Sequence, residues 1–263
     1  MNRILFEKTE IVDGVATVSD VRAEHILNVL HGEVGQVLKT GEIDGPIGTS
    51  VIASIDASPG AQPPRLTVRC SHAEQSLRPW VDLVLAPPRP RAMKRLLPQL
   101  AALGVGRIML VGAKKVEKDF WGATLLKPEN YRPLLVDGLM QAGTSILPTI
   151  EVRRNFRKFV REELDTLFPS PARIVAHPYV SPSAELSNAQ TFKLSNAQTF
   201  KLSNTQTFKL LLAIGPEGGW TDDEVTLLEE HGFARYSLGS RILRTDTATI
   251  ALLAQLMKEF GAS

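Results

Sequence analysis

The sequence predicts an α/β protein in which a small β-barrel precedes a parallel sheet covered by helices. Short strand patterns separated by glycines fill the first seventy residues. From about Trp80 onward, apolar strands alternate with segments of helical spacing. Because 43% of the 263 residues are hydrophobic, the chain can build a core for each of two domains. We therefore place a β-barrel at residues 1–72 and an α/β domain at residues 73–263.

The N-terminal region has the pattern of short β-strands joined by turns. Stretches such as Val15–Val18 and Ser50–Ile55 are rich in β-branched residues, and six glycines between Gly14 and Gly48 mark turns. One helix is predicted within this region, from about residue 20 to residue 30. The proline-rich stretch 58–64 is predicted to lie in a loop near the end of the barrel.

The second region alternates strands and helices. Val81–Ala86 is an apolar strand, Arg91–Leu103 has helical spacing, and Arg107–Val111 is again a strand. This βαβ pattern predicts parallel strands with helices packed on the sheet. Further helices are predicted at 130–142, 222–231 and 247–260, and further strands at 172–176, 209–214 and 235–238.

Three tandem octapeptides occupy residues 187–210. Two copies have the sequence SNAQTFKL and the third has SNTQTFKL. A period of eight is too short for the usual solenoid repeats, so we interpret the segment as a duplicated insertion without a catalytic role. Its last residues, 208–210, are expected to extend the strand that follows.

The composition excludes several classes of protein. Cys70 is the only cysteine, so no intrachain disulfide can form, and no spacing typical of a zinc site is present. There is no apolar run of about 18 residues, and charged residues interrupt the N-terminus before a signal peptide could develop. We expect a cytoplasmic protein with no metal and no membrane partner. The net charge of +2 does not by itself indicate a nucleic-acid partner.

The strongest functional signal is the segment 210–221, in which an apolar strand runs into a glycine-rich turn and then a capped helix. Gly215, Gly218 and Gly219 leave flat backbone at the carboxyl end of a sheet strand, where ligands favour binding. A tight turn without a ligand explains the composition equally well. The spacing is neither GxGxxG nor a P-loop, so the usual nucleotide-binding motifs are absent.

The second signal is the segment 238–248, which lies between a predicted strand and the last predicted helix. Arg241 and Arg244 flank an apolar pair, and Thr245 and Asp246 can cap the helix. Exposed arginines are common on protein surfaces, so a surface role is the alternative. The presence of the glycine turn earlier in the chain favours a shared ligand site.

These two segments carry a family resemblance. The sequences IGPEGGWTDDEV (214–225) and LGSRILRTDTATIALL (238–253) resemble the two C-terminal motifs of the ribosomal RNA small subunit methyltransferase E family, within the knotted SPOUT methyltransferases. The resemblance implies an RNA-binding N-terminal barrel similar to PUA domains and a C-terminal SPOUT domain with a trefoil knot. It also implies a homodimer, S-adenosylmethionine as methyl donor, and N3 of a uridine in 16S ribosomal RNA as methyl acceptor.

Weaker matches extend to the rest of the chain. The segment 25–30 followed by Gly35 is similar to the family's barrel motif, but His31 stands where the family has arginine. Leu103-Gly104-Val105 matches a family motif whose preceding acidic residue is here Ala102. Gln141 matches a helix motif that normally continues to an arginine, whereas this chain continues to Thr144. These departures fall in regions expected to contact RNA.

The resemblance and the chemistry of methyl transfer assign roles to individual residues. Arg244 is expected to hold a uracil carbonyl or a phosphate, and Glu217 to accept a proton or orient a ligand. Glu217 also suits a structural role in the turn, and His177 a structural role at a strand end. The residues expected to contact the cofactor are Ile214, Gly215, Pro216, Glu217, Gly218, Gly219, Leu238, Gly239, Ile242, Leu243, Thr247, Ala248 and His177.

Basic residues identify the surfaces expected to meet ribosomal RNA or the small ribosomal subunit. Local clusters of cations bind phosphates, although such runs are often only solvated faces. The run Arg153–Arg161 would form one basic stripe if the whole stretch were helical. The residues proposed for RNA binding are Arg3, His25, Arg89, Arg91, Lys94 and Arg95.

Two other functions remain compatible with the sequence. One is an RNA-binding or ribosome-assembly factor that keeps the fold without catalysis, which the replaced arginines at His31 and Thr144 would favour. The other is a knotted methyltransferase that acts on transfer RNA. Binding of S-adenosylmethionine distinguishes the first of these from an enzyme, and the identity of the methylated RNA distinguishes the second.

Overall fold

The structure, a computed structural model, describes residues 2–56, 64–169, 172–178 and 209–260. The chain divides into two compact units. The first unit comprises Met1–Arg78 and Leu135–Leu147, and the second comprises Pro79–Leu134 and Pro148–Ser263. The sequence pattern had grouped 135–147 with the second region. Most of the octapeptide segment, residues 187–208, lies outside the described residues.

The first unit contains a mixed six-stranded sheet among its described residues. The strands are β1 (Ile4–Phe6), β2 (Ile11–Val12), β3 (Val15–Val18), β4 (Val37–Glu42), β5 (Ile47–Asp56) and β6 (Arg65–Glu74), in the order β1-β4-β5-β6-β3-β2. Helix α1 (Val21–Asn28) begins after Asp20, whose side chain accepts a hydrogen bond from the Arg22 amide. Its apolar face packs Ile26 into the core of the unit. The described strands form a half-barrel, so closure into a PUA-like barrel stays a prediction.

The second unit contains a parallel sheet, as the βαβ pattern predicted. Its strands are β7 (Val81–Leu85), β8 (Val105–Val111), β9 (Thr149–Arg153), β10 (Arg173–Ala176), β11 (Leu210–Ile214) and β12 (Ala234–Tyr236), in the order β12-β10-β11-β7-β8-β9. Each pair of neighbours is parallel. Strands β7 and β11 are buried along their whole length. The sequence of β11 is continuously apolar, whereas β7 contains the buried Asp82, whose carboxylate pairs with Arg107 at 2.7 Å.

Helices α2 to α7 follow in chain order. They are α2 (Pro90–Ala102), α3 (Pro128–Ala142), α4 (Phe156–Glu162), α5 (Leu164–Leu167), α6 (Asp222–Glu230) and α7 (Thr245–Phe260). The basic run near residue 157 does not form one helical stripe, because Arg153 ends strand β9 and α4 begins only at Phe156. Asn155 caps α4 by accepting a hydrogen bond from the Lys158 amide.

The strand order reverses at β7, since β8 lies on one side of it and β11 on the other. In parallel sheets ligands bind at the carboxyl ends of the strands near such a reversal. A ligand site is therefore expected at the loops that follow β7, β10, β11 and β12. In the described part of the chain, no helix is long and apolar enough to cross a membrane, and no cluster of side chains could hold a metal ion.

Candidate functional site

A cavity of about 390 Å³ lies at the carboxyl edge of the second unit's sheet. Strands β10, β11 and β12 all end at this cavity, and the loop 237–243 and the start of α7 complete its wall. The amide of His177, after β10, donates to the Tyr236 carbonyl at 3.0 Å and joins two of the strand ends. Parallel pairing thus brings segments that are distant in sequence to one site.

The turn after β11 requires glycine at two positions. A Cβ atom at Gly215 would lie 3.1 Å from the backbone nitrogen of Trp220, which is tighter than nine in ten real contacts of a Cβ atom. Gly219 has a φ angle of +70°, a conformation that side chains disfavour, and its amide donates to the Pro216 carbonyl at 2.8 Å. The glycines therefore fix the shape of the turn that borders the cavity.

The loop 237–243 presents backbone groups to the same cavity. Gly239 has a φ angle of +110°, which favours glycine, and its amide donates to the Ser237 hydroxyl at 3.1 Å. Within the described part of the chain, the amides of Leu238, Ile242 and Leu243 donate no hydrogen bond. These three N–H groups are therefore available to a ligand.

The two loops are joined at the beginning of α7. The buried hydroxyl of Thr245 donates to the Gly215 carbonyl at 3.3 Å. The Thr249 hydroxyl in turn donates to the Thr245 carbonyl at 2.6 Å, one turn further along the helix. Helix α7 therefore holds the loop 237–243 against the glycine turn and sets the width of the cavity.

The loop after β8 supports the glycine turn from a third direction. The Lys115 ammonium donates to the Gly218 carbonyl at 2.8 Å. The buried Glu224 carboxylate accepts from the Lys114 amide at 2.8 Å and from the amide and hydroxyl of Thr221 at 2.9 and 3.0 Å. Glu224 therefore links the loop after β8 to the N-terminus of α6. This link uses both oxygens of one carboxylate.

Glu217 projects from the turn beside a cationic group. Its carboxylate lies 3.5 Å from the Arg89 guanidinium, which also donates to Glu117 at 2.9 Å. The hydrogen bond to Glu117 and the charges of both carboxylates raise the pKa of Arg89 above its ordinary value. Arg89 therefore lies at this edge of the site as a permanent cation.

The structure brings most of the predicted site residues together. Each predicted cofactor residue except Thr247 borders the 390 Å³ cavity. Thr247 is exposed on α7, and Arg244 is exposed at the start of that helix without bordering the cavity. Sequence reasoning missed Lys115, Thr245 and Leu252, which also border it. A helical spacing of seven between Thr245 and Leu252 could have indicated that both face the same side.

The predicted RNA-binding residues fall into two groups. Arg91, Lys94 and Arg95 are exposed on one face of α2, and Arg95 pairs with Asp246 at 3.3 Å. Arg89 is the N-cap residue of α2 and belongs to the same group, and the remaining two residues lie in the first unit. Arg3 donates to the carbonyls of Thr40, Gly48 and Gly143 at 2.6, 2.9 and 2.9 Å, and the buried His25 Nε2 has no partner among the described residues.

A model of the RNA methyltransferase domain matches residues 75–257. The match includes the glycine turn, the loop 237–243 and nearly all of α7. The class of protein that this fold and site define is therefore the RNA methyltransferases.

Relatives that match this chain over most of their length identify its family among the RNA methyltransferases. The ribosomal RNA small subunit methyltransferase E of Treponema pallidum is 30% identical over 98% of this chain and 91% of its own length. The protein of the same name from a Synechocystis strain is 26% identical over 97% of this chain and 76% of its own length. This chain belongs to the ribosomal RNA small subunit methyltransferase E family.

Solved structures share the fold. A Legionella pneumophila methyltransferase in complex with S-adenosylmethionine superimposes with a TM-score of 0.68, at 23% identity over 98% of this chain and 97% of that one. A Neisseria gonorrhoeae ribosomal RNA small subunit methyltransferase E, also bound to S-adenosylmethionine, gives 0.68 at 19% identity over the same shares. These similarities establish that the α/β fold is common to the three proteins.

Replacing Glu224 by glutamine tests the link behind the glycine turn. An amide offers one acceptor oxygen in place of two, so either the Lys114 amide or the Thr221 donors must face an NH₂ group. We expect Glu224→Gln to lower the free energy of unfolding by about 2 kcal/mol. The exposed Glu230→Gln change on the same helix is the control, and urea denaturation measures both. Equal stability of the two variants would contradict the link.

Proposed function

We propose that this protein transfers a methyl group from S-adenosylmethionine to N3 of a uridine in 16S ribosomal RNA. The observation that carries the proposal is that both C-terminal family motifs border the same 390 Å³ cavity at the carboxyl edge of the sheet. Membership of the methyltransferase E family supports the ribosomal RNA substrate. A SPOUT-type trefoil knot belongs to the same proposal.

The residues around the cavity fit the proposed cofactor. A volume of about 390 Å³ lies in the usual range for small-molecule sites. Leu238 and Leu252 supply apolar surface for an adenine ring, while the unpaired amides of Ile242 and Leu243 can donate to its ring nitrogens. The glycine turn leaves room for close approach of the ligand to the backbone. The relatives from Legionella and Neisseria were solved with this molecule bound.

The reaction makes three demands on the protein. When bound, the cofactor supplies an electrophilic methyl group on sulfur. The protein must hold the acceptor nitrogen in line, accept its proton, and stabilise negative charge that develops on the uracil oxygens. Glu217 is the proposed proton acceptor, because it borders the cavity on a rigid turn. Arg244 is the proposed cation on the acceptor side, where its guanidinium binds a carbonyl or a phosphate.

The RNA is proposed to contact the basic face of α2 and the first unit. Arg91 and Lys94 are exposed and form no side-chain hydrogen bond or ion pair within the described residues, so both ammonium and guanidinium groups are available to phosphates. The Nε and Nη1 donors of Arg3, by contrast, are already used by backbone carbonyls. Arg3 therefore supports the first unit's fold more directly than it supports RNA binding.

Nucleoside mapping tests the proposed function. Ribosomal RNA from cells that lack the protein is digested and compared with wild-type RNA by mass spectrometry. We expect one N3-methyluridine to disappear from 16S RNA, and purified protein with labelled S-adenosylmethionine to restore it on the unmethylated small subunit. An unchanged 16S RNA, or a methyl group lost from transfer RNA, would contradict the proposal.

Replacing Gly219 by valine tests the cofactor site. Gly219 and Gly232 both have positive φ angles, +70° and +80°, and a Cβ atom at either meets no atom within 4 Å. Valine at each position therefore costs similar backbone strain, but only Gly219 borders the cavity. We expect Gly219→Val to weaken S-adenosylmethionine binding at least tenfold in calorimetric titration, while Gly232→Val retains wild-type affinity. Equal affinities in two folded variants would remove the turn from the site.

Replacing Arg244 separates an acceptor role from a structural role. We expect Arg244→Ala and Arg244→Lys to keep cofactor affinity but to slow single-turnover methylation about a hundredfold, the scale of losing one preorganised electrostatic contact. The lysine variant is expected to be slow because a lysine ammonium lacks the planar arrangement of paired N–H donors of the guanidinium. The exposed Arg161→Ala change on α4 is the control. Full activity of Arg244→Ala would refute the role, and a parallel loss of thermal stability and cofactor affinity would indicate a structural brace.

A homodimer is proposed on the strength of α7 and the family resemblance. The helix buries Leu252, Leu253 and Leu256 but leaves Ile250 and Met257 exposed, seven residues apart on one face. A second copy would cover these apolar side chains. Light scattering at micromolar protein should return twice the chain mass, and Ile250→Glu combined with Met257→Glu should lower it. A monomer mass for the wild-type chain would contradict the dimer.

A further inference from the structure

In the described part of the second unit, three cavities follow one another along the carboxyl edge of the sheet. The 390 Å³ cavity lies at the ends of β10, β11 and β12. A cavity of about 300 Å³ lies on the other side of the glycine turn, against the segments after β7 and β8. A further cavity, of about 320 Å³, lies at the ends of β8 and β9 and beside the start of α6. This last space, the β8–β9 cavity, has no part in the proposed cofactor site.

Gly112 allows the segments after β8 and β9 to approach each other closely. Its amide donates to the Arg153 carbonyl at 3.0 Å. A Cβ atom at position 112 would lie 1.9 Å from the Arg154 carbonyl oxygen, so a side chain there would collide with the backbone. The close approach brings Arg154 and Lys114, which follows Gly112 by two residues, to the border of the same cavity.

The β8–β9 cavity has an excess of positive charge. Lys114, Arg154 and Arg157 border it, and all three are exposed. Glu224 is the one carboxylate among the described residues that border it. The oxygens of Glu224 already accept hydrogen bonds from the Lys114 amide and from Thr221. Three cations therefore face one carboxylate that is engaged by the protein itself, an arrangement that attracts an anion.

Arg154 is held in place while most of its donors stay available. Its guanidinium carbon lies 5.7 Å from the centre of the Trp121 ring, and its Nη2 donates to the Trp121 carbonyl at 3.2 Å. The Nε and Nη1 atoms of Arg154 make no hydrogen bond or ion pair within the described residues. A guanidinium that is already positioned loses little conformational freedom when an anion binds to it.

Arg157 and Lys114 add donors that an anion can reach. The Arg157 guanidinium pairs with Asp223 at 3.1 Å, and 78% of the Asp223 side chain is exposed, so water screens this pair. The Lys114 ammonium makes no hydrogen bond or ion pair within the described part of the chain, since the contact with Glu224 uses the backbone amide. An anion can therefore bind to these two cations without breaking a buried interaction.

We propose that the β8–β9 cavity binds a phosphodiester group of the RNA substrate through Lys114, Arg154 and Arg157. This inference rests on the proposed function and adds a contact with RNA that does not involve α2. RNA carries a phosphate at every nucleotide, so its backbone is the anion that methylation brings to this edge of the sheet. Guanidinium and ammonium groups bind phosphate oxygens by charge-assisted hydrogen bonds. The contact positions the RNA along the edge and carries no information on base sequence.

The strand order sets the distance between this contact and the reaction. Counted from β11, strand β8 is the second strand in the sheet and β9 is the third. Neighbouring strands lie about 4.8 Å apart, so the ends of β8 and β9 lie roughly 10 to 14 Å from the end of β11 along the edge. The bound phosphate therefore belongs to a nucleotide within a few positions of the methylated uridine.

The fold gives different surroundings to the members of the basic run at the end of β9 and the start of α4. Arg154 and Arg157 border the cavity. Arg153 pairs instead with two carboxylates, at 2.6 and 3.0 Å. Lys158 and Arg161 are exposed on α4 and do not border the cavity. Of this run, only Arg154 and Arg157 are therefore expected to contact the phosphate, and Lys158 and Arg161 provide a matched control.

Removal of the three cations tests the site. The variant combines Lys114→Met, Arg154→Gln and Arg157→Gln. The control combines Lys158→Gln with Arg161→Gln. With S-adenosylmethionine present, the affinity of each protein for small ribosomal subunits from cells that lack the protein is measured over a range of salt concentrations.

We expect the triple variant to bind the subunit about tenfold more weakly, with a shallower dependence of affinity on salt. The slope of log affinity against log salt should fall by about one for each cation that contacts a phosphate. The control should stay within about threefold of wild-type affinity, because exposed charges outside the contact are screened. A triple variant with the same slope as the control would overturn the proposal.

Two further measurements separate a lost contact from a damaged fold. The double variant Lys114→Met with Arg157→Gln leaves the contact between Arg154 and Trp121 in place, and it should still lower the salt slope by about two. Calorimetry should give both variants wild-type affinity for S-adenosylmethionine, since none of the substituted residues borders the 390 Å³ cavity. A matching loss of cofactor affinity would show that the cations support the sheet edge instead of binding RNA.

Footprinting identifies the partner of the three cations. Hydroxyl radicals cleave the RNA backbone of small subunits saturated with wild-type or triple-variant protein. We expect the wild type to protect a backbone segment within a few nucleotides of the methylated uridine, and the triple variant to lose protection at that segment alone. If the variant binds more weakly but protects the same RNA, the cations contact a ribosomal protein and the phosphate assignment is wrong. If the variant loses a protected segment but the wild type methylates no uridine in 16S RNA, the proposed function fails and the phosphate site stands.

Discussion

Parallel pairing of β10, β11 and β12 is the constraint on which the site depends. Because the three strands run in the same direction, their carboxyl ends meet at one edge, and the residues that directly follow each strand border the same cavity. The order of the strands places β11 between β10 and β7, so the glycine turn lies at the centre of that edge. The hydroxyl of Thr245 then closes the cavity by joining α7 to the Gly215 carbonyl. Membership of the methyltransferase E family relates this arrangement to a family of ribosomal RNA methyltransferases.

The two sides of the glycine turn differ in the chemistry that they offer. The side toward the loop 237–243 offers mainly backbone amides and apolar side chains, which suit a nucleoside held by shape and neutral hydrogen bonds. The side toward the segments after β7 and β8 carries paired cations and carboxylates. Glu217 borders both spaces. The glycine turn is therefore a wall shared by two spaces of different chemical character.

The sequence predicted those parts of the structure that depend on local pattern. Largely apolar stretches identified β7 and β11, because strands buried on both faces carry few polar residues, and Asp82 is the one charged residue in either strand. Strand β9 was missed because it lies at the edge of the sheet and carries Glu151 and Arg153, so no apolar pattern marks it. Lys115 and Glu224 were missed for a different reason. The Gly218 carbonyl that Lys115 binds and the Lys114 amide that Glu224 binds each lie more than a hundred residues away in the chain, although Glu224 also accepts from Thr221, three residues earlier. Only the folded sheet brings the distant groups together.

The proposed cofactor site requires the two glycine-containing loops to bind one ligand together, and hydrogen–deuterium exchange tests this requirement directly. Exchange is measured by mass spectrometry with and without saturating S-adenosylmethionine. We expect the ligand to slow exchange in peptides that contain Gly215–Trp220 and Ser237–Leu243, because the amides of Leu238, Ile242 and Leu243 have no partner among the described residues without it. Peptides from the strands of the first unit should be unchanged. Binding without protection of either loop, or protection confined to the first unit, would contradict the account.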